Sequence, residues 1–240
     1  MQKLKLAILA SGGGTTMQAI IKACKSGELS GIDPVLVISD REGAGALQKA
    51  QDEGIKAVFV RPRKAYPSLD DYGVELLRLF HAYNVDLIGQ YGWLTLTPAN
   101  VVSKYEGQMV NQHPGPLDTG YPDFGGKGMY GRAVHAARLI YARSVEDNNW
   151  TEATAHLVTP EFDKGAVIMR KRVPIEPDDT VDILQAKVLP VEHTVQIEAL
   201  KLFALGQIVP LVREQRLIDP QHIEFLDDAK KIAISEYPNG

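Results

Sequence analysis

The sequence predicts an α/β fold: a Rossmann-like parallel sheet in the first half, extended by an antiparallel hairpin in the second, with helices on both faces. Three observations predict it. Short apolar runs alternate with stretches of helical periodicity from residue 4 to residue 113. A glycine cluster, "SGGGTT", directly follows the first apolar run, where a strand-to-helix turn would sit. Two later β-rich runs flank the short turn "PEFDKG", the pattern of a hairpin.

Taken in order, "LKLAILA" (4–10) is the first strand. "MQAIIKACKSG" then spaces Met17, Ile20, Ile21 and Cys24 at helical intervals and stops at Gly27, a C-cap residue. "PVLVIS" (34–39) is the second strand, and "AGALQKAQDEG" a helix closed by Gly54. "KAVFV" (56–60) is the third strand. A helix over "SLDDYGVELLRLFHAYN" has Ser68 as its N-cap and Leu69, Tyr72, Leu76, Phe80 and Tyr83 on one face. "VDLIGQ" (85–90) is the fourth strand, and "TPANVVSKY" a short helix with Thr97 as cap and Pro98 in its first position. "GQMVNQH" is the fifth strand.

After His113 the rhythm breaks. Residues 114–128 are dense in glycine and proline, and a segment of that length inside a domain is expected to be functional or mobile, here a lid. "MYGRAVHAARLIYARS" is helical despite Gly131. "ATAHLVT" (153–159) and "AVIMRKRVPI" (166–175) form the hairpin. The run from Asp178 to Gly206 is a long helix that Asp178 and Asp179 begin and Pro190 should kink or divide. "QIVPLV" and "RLID" suggest a last strand pair, and "ISEYPNG" a tail. Without a repeat or a linker, residues 1–240 are expected to be one domain, with residues from about 211 a C-terminal extension.

Composition excludes several classes. The net charge of −4 is mixed in sign and forms no basic stripe, which argues against a nucleic-acid partner or an anionic membrane surface. No stretch approaches the length of a membrane span, and "MQKLKLAILAS" has too short an apolar run for a signal peptide, so the expectation is a cytoplasmic protein. The single cysteine, Cys24, rules out an intramolecular disulfide and any Cys-rich zinc site. The six histidines do not fall in ligand spacing, so no metal is expected. Small-molecule substrates are the expected partners, with the chain a monomer or a homodimer.

Three features could carry chemistry. In "SGGGTT", Gly12, Gly13 and Gly14 let a backbone approach a ligand, and the amides of Thr15 and Thr16 open a helix that could hold a phosphate. The motif lacks both the third glycine of a dinucleotide fingerprint and the lysine of a P-loop, so it can also be read as a tight turn. In "VNQHPG", Asn111 and His113 stand at i and i+2 of a strand end and should project to one side. An amide beside an imidazole can stabilise an oxyanion and relay a proton; equally, the pair can be a polar end to a buried strand. The hairpin tip carries Glu161 and Asp163, which is ordinary turn chemistry unless Asp163 reaches His113.

"LAILASGGGTTMQAII", "VNQHPG" and "ATAHLVTPEFDKGAVI", in that order and spacing, resemble the formyltransferases that use 10-formyltetrahydrofolate. The similarity is nearest to members that formylate phosphoribosylglycinamide in purine biosynthesis and covers about residues 4–210. The resemblance implies the formyltransferase fold and a catalytic trio of Asn111, His113 and Asp163, with His156 supporting it. It places the acceptor's phosphate on Gly12 to Thr16 and its amine near Glu192. The folate co-substrate would lie against Gly92, Trp93, Leu94, Leu96, Val158, Thr159 and Glu161. His113 is expected to work protonated, kept charged by Asp163.

Three stretches depart from that family's pattern. The loop reads Gly-Gly-Gly-Thr-Thr where the family has Gly-Asn-Gly-Ser-Asn. "QYGWLTL" replaces an aromatic-Met-Arg run, and the segment after the His-Pro is longer and richer in glycine. Three other readings share parts of the pattern: a formyltransferase for a nucleotide-linked amino sugar, a 10-formyltetrahydrofolate hydrolase, and a nucleotide-binding regulatory module without catalysis.

Overall fold

The computed structural model describes residues 2–145 and 149–238. The chain divides into two compact units: Met1–Asn111 with Leu157–Pro160 and Gln196–Ile208, and Gln112–His156 with Glu161–Val195 and Val209–Gly240.

The first unit carries the parallel strands β1 (Leu4–Leu9), β2 (Ile32–Ser39), β3 (Lys56–Phe59) and β4 (Leu87–Gln90), and most of β5 (Met109–His113). Central strands buried on both faces read as continuous apolar runs, and Leu6 to Leu9 have no exposed surface. Between the strands lie α1 (Thr15–Ser26), α2 (Gly45–Asp52), α3 (Leu69–Ala82) and α4 (Ala99–Lys104). Gly27 ends α1 in the left-handed conformation at φ 84°, as expected of a C-cap. Ser68 caps α3, its side chain accepting from the Asp71 amide. Thr97 does not cap α4: Pro98 holds the cap position, and the Thr97 hydroxyl accepts from Gln90 Nε2 at 2.5 Å. The α3 face named from the sequence is buried through Tyr72, Leu76 and Phe80, packed with Ile88, Trp93 and Val101.

The second unit contains α5 (Arg132–Val145), most of β6 (Trp150–Leu157), β7 (Val167–Pro174) and α7 (Ile223–Glu236). β6 and β7 pair antiparallel as the expected hairpin, Thr151 opposite Val173. In hydrogen-bonded order the strands run β3-β2-β1-β4-β5-β6-β7, a mixed seven-stranded sheet with helices on both sides. α6 (Val181–Leu205) runs unbroken through Pro190. Buried Leu184, Val188, Val195 and Ala199 on either side of the proline hold the helix against the loss of one main-chain bond. Asp179 lies before that helix, not in it, accepting from the Glu176 amide and from Lys187 Nζ.

Two expectations for the end of the chain are corrected. No last strand pair forms among residues 207–219; Leu211 makes one main-chain bond to Val167, while Leu217 and Ile218 are buried among Phe124, Tyr141 and Leu226. The first three residues of the expected tail, 234–236, are instead the end of α7, which buries Leu226, Ala229 and Ala233 in that cluster. Gly240 and its neighbour lie outside the described residues.

Candidate active site

In the first unit, the glycine loop follows β1. The Ser11 amide donates to Gly92 O at 2.9 Å and the Ser11 hydroxyl accepts from the Leu94 amide at 3.2 Å, tying this loop to the one after β4. Gly14 stands at the N-cap of α1 with φ 69°, and no side chain caps the helix. A Cβ on Gly14 would lie 2.8 Å from that of Ala46, so only glycine fits the turn. Gly12 and Gly13 differ: a Cβ on either would meet nothing within 4 Å. Their missing side chains serve no internal packing, which leaves room for a ligand against the uncapped amides of the helix start. Thr15 is exposed, while Thr16 is buried.

Several residues the resemblance assigns to folate also fall in this unit. Gly92 turns at φ 73°, and Leu94 and Leu96 keep part of their surface. Trp93 is in the apolar core, its indole N–H unpartnered, and Val158 is half-buried against the same core. Thr159 follows with partial exposure. Asn111 sits on β5 opposite Gln90 of β4.

The second unit holds His113, Asp163, His156, Glu161 and Glu192. It brings the first three together. His113 is buried, with Nε2 3.1 Å from Phe124 O and Nδ1 3.7 Å from Asp163 Oδ2. A carbonyl can only accept, so Nε2 carries a proton, and Nδ1 is the nitrogen able to gain or lose one beside the carboxylate. His156 Nε2 lies 3.4 Å from Asp163 Oδ1, and the Gly126 amide donates to Oδ2 at 2.9 Å. Asp163 adopts φ 56°, an uncommon conformation for a residue with a side chain, in a turn that points it at these partners.

The electrostatics follow from burial and these partners. Burial works to raise the Asp163 pKa, but the charge of His113, the bond from His156 and the Gly126 amide together hold it well below the usual carboxylate range. Burial also pulls the His113 ring below its ordinary value, and Asp163 offsets only part of that. Burial thus works against the charge His113 is expected to carry at work, and the Asp163 carboxylate beside Nδ1 works for it. His135, buried on α5, is pushed down to about 4 by burial and by His113, and adds no positive charge near neutral pH.

Glu192 is buried on α6 and accepts from Gln112 Nε2 at 2.6 Å. Burial pushes its carboxyl up to about 7, with the Gln112 bond working the other way. Glu161 is exposed at the hairpin tip. Gln112 was not singled out in the sequence, although it sits between Asn111 and His113; its pointing away from them, toward α6, is the strand alternation itself. The Phe124 carbonyl and the Gly126 amide leave no side-chain signal at all.

The segment 114–128 is fastened rather than loose. Asp123 Oδ1 and Oδ2 accept from the amides of Gly125 and Asp118, Thr154 Oγ1 donates to Gly115 O at 2.7 Å, and Phe124 is fully buried. A Cβ on Gly125 would lie 2.7 Å from both Asp163 Cβ and Leu117 Cδ2, so this glycine lets the segment close on the carboxylate. Among the described residues no group of three His, Cys, Asp or Glu side chains is arranged to hold a metal ion, and no helix is long and apolar enough to cross a membrane.

A buried imidazole beside a standing carboxylate in one unit, and a glycine loop after the first parallel strand in the other, are features an acyl-group transferase can use, and comparison narrows the class. Residues 4–200 match the family described as Formyl transferase, and the chain belongs to it. It is 30% identical over 221 residues to the chloroplastic phosphoribosylglycinamide formyltransferase of Arabidopsis thaliana, covering 90% of this chain and 72% of that one. It is 32% identical over 206 residues to the trifunctional purine biosynthetic protein adenosine-3 of Gallus gallus, covering 86% of this chain and 19% of that relative's length. Among solved structures, glycinamide ribonucleotide transformylase 1 from Symbiobacterium toebii superposes with a TM-score of 0.75 at 31% identity, covering 90% of this chain and 95% of that one. The chain is a formyltransferase, and its family implies a folate-derived formyl donor.

Proposed function

We propose that the chain transfers a formyl group from 10-formyltetrahydrofolate to the amine of 5-phosphoribosylglycinamide, a step of purine biosynthesis. The observation that carries the reading is the ionised Asp163 beside a buried His113 whose Nδ1 can exchange a proton. The names of the relatives support the acceptor.

The donor, when bound, supplies an electrophilic formyl carbon. The Asn111 side-chain amide would donate a hydrogen bond to the formyl oxygen as it gains charge under attack by the acceptor amine. His113 would take up the proton the amine must lose, and Asp163 would stabilise the resulting imidazolium, with His156 and the Gly126 amide holding the carboxylate in place. As the oxyanion collapses and the formyl C–N10 bond breaks, the imidazolium would return that proton to N10, and tetrahydrofolate would leave. Glu192 would hold the acceptor amine, and Gly12 to Thr16 its phosphate. Gly92, Leu94, Leu96, Val158, Thr159 and Glu161 would border the folate, with Trp93 supporting them from the core. These steps use side chains and main-chain amides and need no metal.

On this reading about residues 1–110 form a phosphate-binding half, about 111–210 a catalytic and folate-binding half, and the remainder an extension. The cytoplasm is the compartment it expects, which the unpaired Cys24 fits. The test is amine-dependent release of tetrahydrofolate from the donor. Turnover with 5-phosphoribosylglycinamide, and none with a nucleotide-linked amino sugar or with water alone, is expected. Release without any amine would make the chain a hydrolase instead.

A further inference from the structure

The family match ends at residue 200, and the chain continues to a helix beyond it. α7 exposes most of its side chains and buries only Leu226, Ala229 and Ala233, spaced three and four apart. Two alanines at the contact let the helix axis come close to the Phe124 cluster. Lys230, next to Ala229, is half-buried and reaches inward from that face.

Its ammonium donates to Asp123 O at 3.0 Å and to Gly125 O at 2.7 Å. These are the two carbonyls flanking that of Phe124, and the Phe124 carbonyl is the one that meets His113 Nε2. The next amide, of Gly126, is the one that meets Asp163. Four consecutive residues thus connect one lysine to both members of the pair. The same segment is held elsewhere from the C-terminal side: Arg213 Nε donates to Leu117 O and its guanidinium grips Glu152, while the Leu217 amide donates to Asp118 Oδ2. Holding a half-buried lysine in one geometry costs side-chain entropy that an exposed one keeps, so a merely incidental lysine would stay in solvent.

We propose that Lys230 is a positioning residue: it fixes residues 123–126 so that the Phe124 carbonyl orients the His113 ring and the Gly126 amide orients Asp163. This rests on the reading of His113 and Asp163 as the reacting pair. It also makes the C-terminal extension part of the machinery, replacing by a lysine clamp what the longer glycine-rich segment would otherwise lack in rigidity.

The experiment compares the whole chain with Lys230→Met, which keeps the length and loses the donors, with Lys230→Arg, which keeps donors, and with Lys231→Met, an exposed neighbour paired with Asp228. Formyl transfer and the His113 ring titration, the latter followed by NMR without substrates, are measured in each. Lys230→Met should lower kcat by about 10- to 100-fold with both KM values little changed, since misplacement of a reacting group costs rate before binding. It should also move the His113 titration and the pH limb that reports it. Lys230→Arg should recover part of the rate, and Lys231→Met should match the parent chain. An unchanged kcat and an unmoved His113 titration in Lys230→Met would overturn the proposal, as would a rate loss that only tracks loss of folded protein by circular dichroism. A parent chain without formyl transfer would refute the functional reading instead, and the substrate-free titration would still decide whether Lys230 governs His113.

Discussion

Two glycine-rich segments follow two strands of this chain, and they use glycine for opposite ends. The one after β1, Gly12 to Thr16, leaves Gly12 and Gly13 facing open space, with the helix behind them uncapped. The one after β5, residues 114–128, is crowded: a Cβ on Gly125 would press on Asp163, and one on Gly115 would overlap Val134. Buried Asp123 bonds its main chain from within, and the buried Asp118 carboxylate accepts from the Leu217 amide outside it. Glycine in a sequence therefore reports that backbone must pass close to something. In the first segment that something is read as a ligand; in the second it is the protein's own Asp163 carboxylate.

If the second segment holds the reacting groups, damage to the ring it orients should cost most. His113→Ala should lower kcat by about 10²–10³-fold or more, the range for loss of a group acting in the transition state, with a smaller change in either KM. Steady-state kinetics with both substrates varied would check it, and near-normal turnover would return His113 to a polar strand end.

A second contrast is in ionisation. Residues 12–16 carry no ionisable side chain, whereas the second unit buries Glu192. The folded value of Glu192 lies above its ordinary 4.5, at about 7. The stability it contributes is therefore complete below about pH 4.5 and lost as pH rises through about 7. At 1.36 kcal/mol per unit, this amounts to about 3 kcal/mol at most. Urea unfolding at pH 5 and pH 8 should show Glu192→Gln flattening that fall; equal slopes in both chains would mean the carboxylate is ionised and well solvated.

The smallest effects should separate the two glycine uses themselves. Gly125→Ala should destabilise by about 1–3 kcal/mol, because neither Asp163 nor Leu117 can yield without strain. Gly13→Ala should leave the melting temperature nearly unchanged, yet raise KM for the phosphorylated acceptor more than for the folate. A larger effect on the folate KM would assign this loop to the donor.

The first unit was legible because its strands are buried on both faces, so runs such as "LAIL" and "VLVIS" announce themselves, and because Ser68 and Gly27 mark helix ends by local chemistry. α7 was not legible, since its buried face is mostly alanine and carries too little apolar signal to mark a period. The apolar runs near residues 208–218 misled for the complementary reason: Leu217 and Ile218 are buried singly against helices, with no strand to pair. Within the site, Asp163 alone looked like a turn residue, and it is one; only the family pattern tied it to His113. The bonds that complete that tie come from Phe124 O, Gly126 N–H and Lys230, two of them main-chain groups that no residue type encodes.

The central claim is that His113 and Asp163 act as one unit in formyl transfer, and a double-mutant cycle on kcat tests it most directly. Asp163→Asn, His113→Ala and the double variant would be assayed with 10-formyltetrahydrofolate and 5-phosphoribosylglycinamide at saturation. The expected result is that the double variant is little slower than His113→Ala alone, because a carboxylate whose role is to support the ring has nothing left to support. Two penalties that multiply in full would show that the groups work independently, and the account of this site would fail with them.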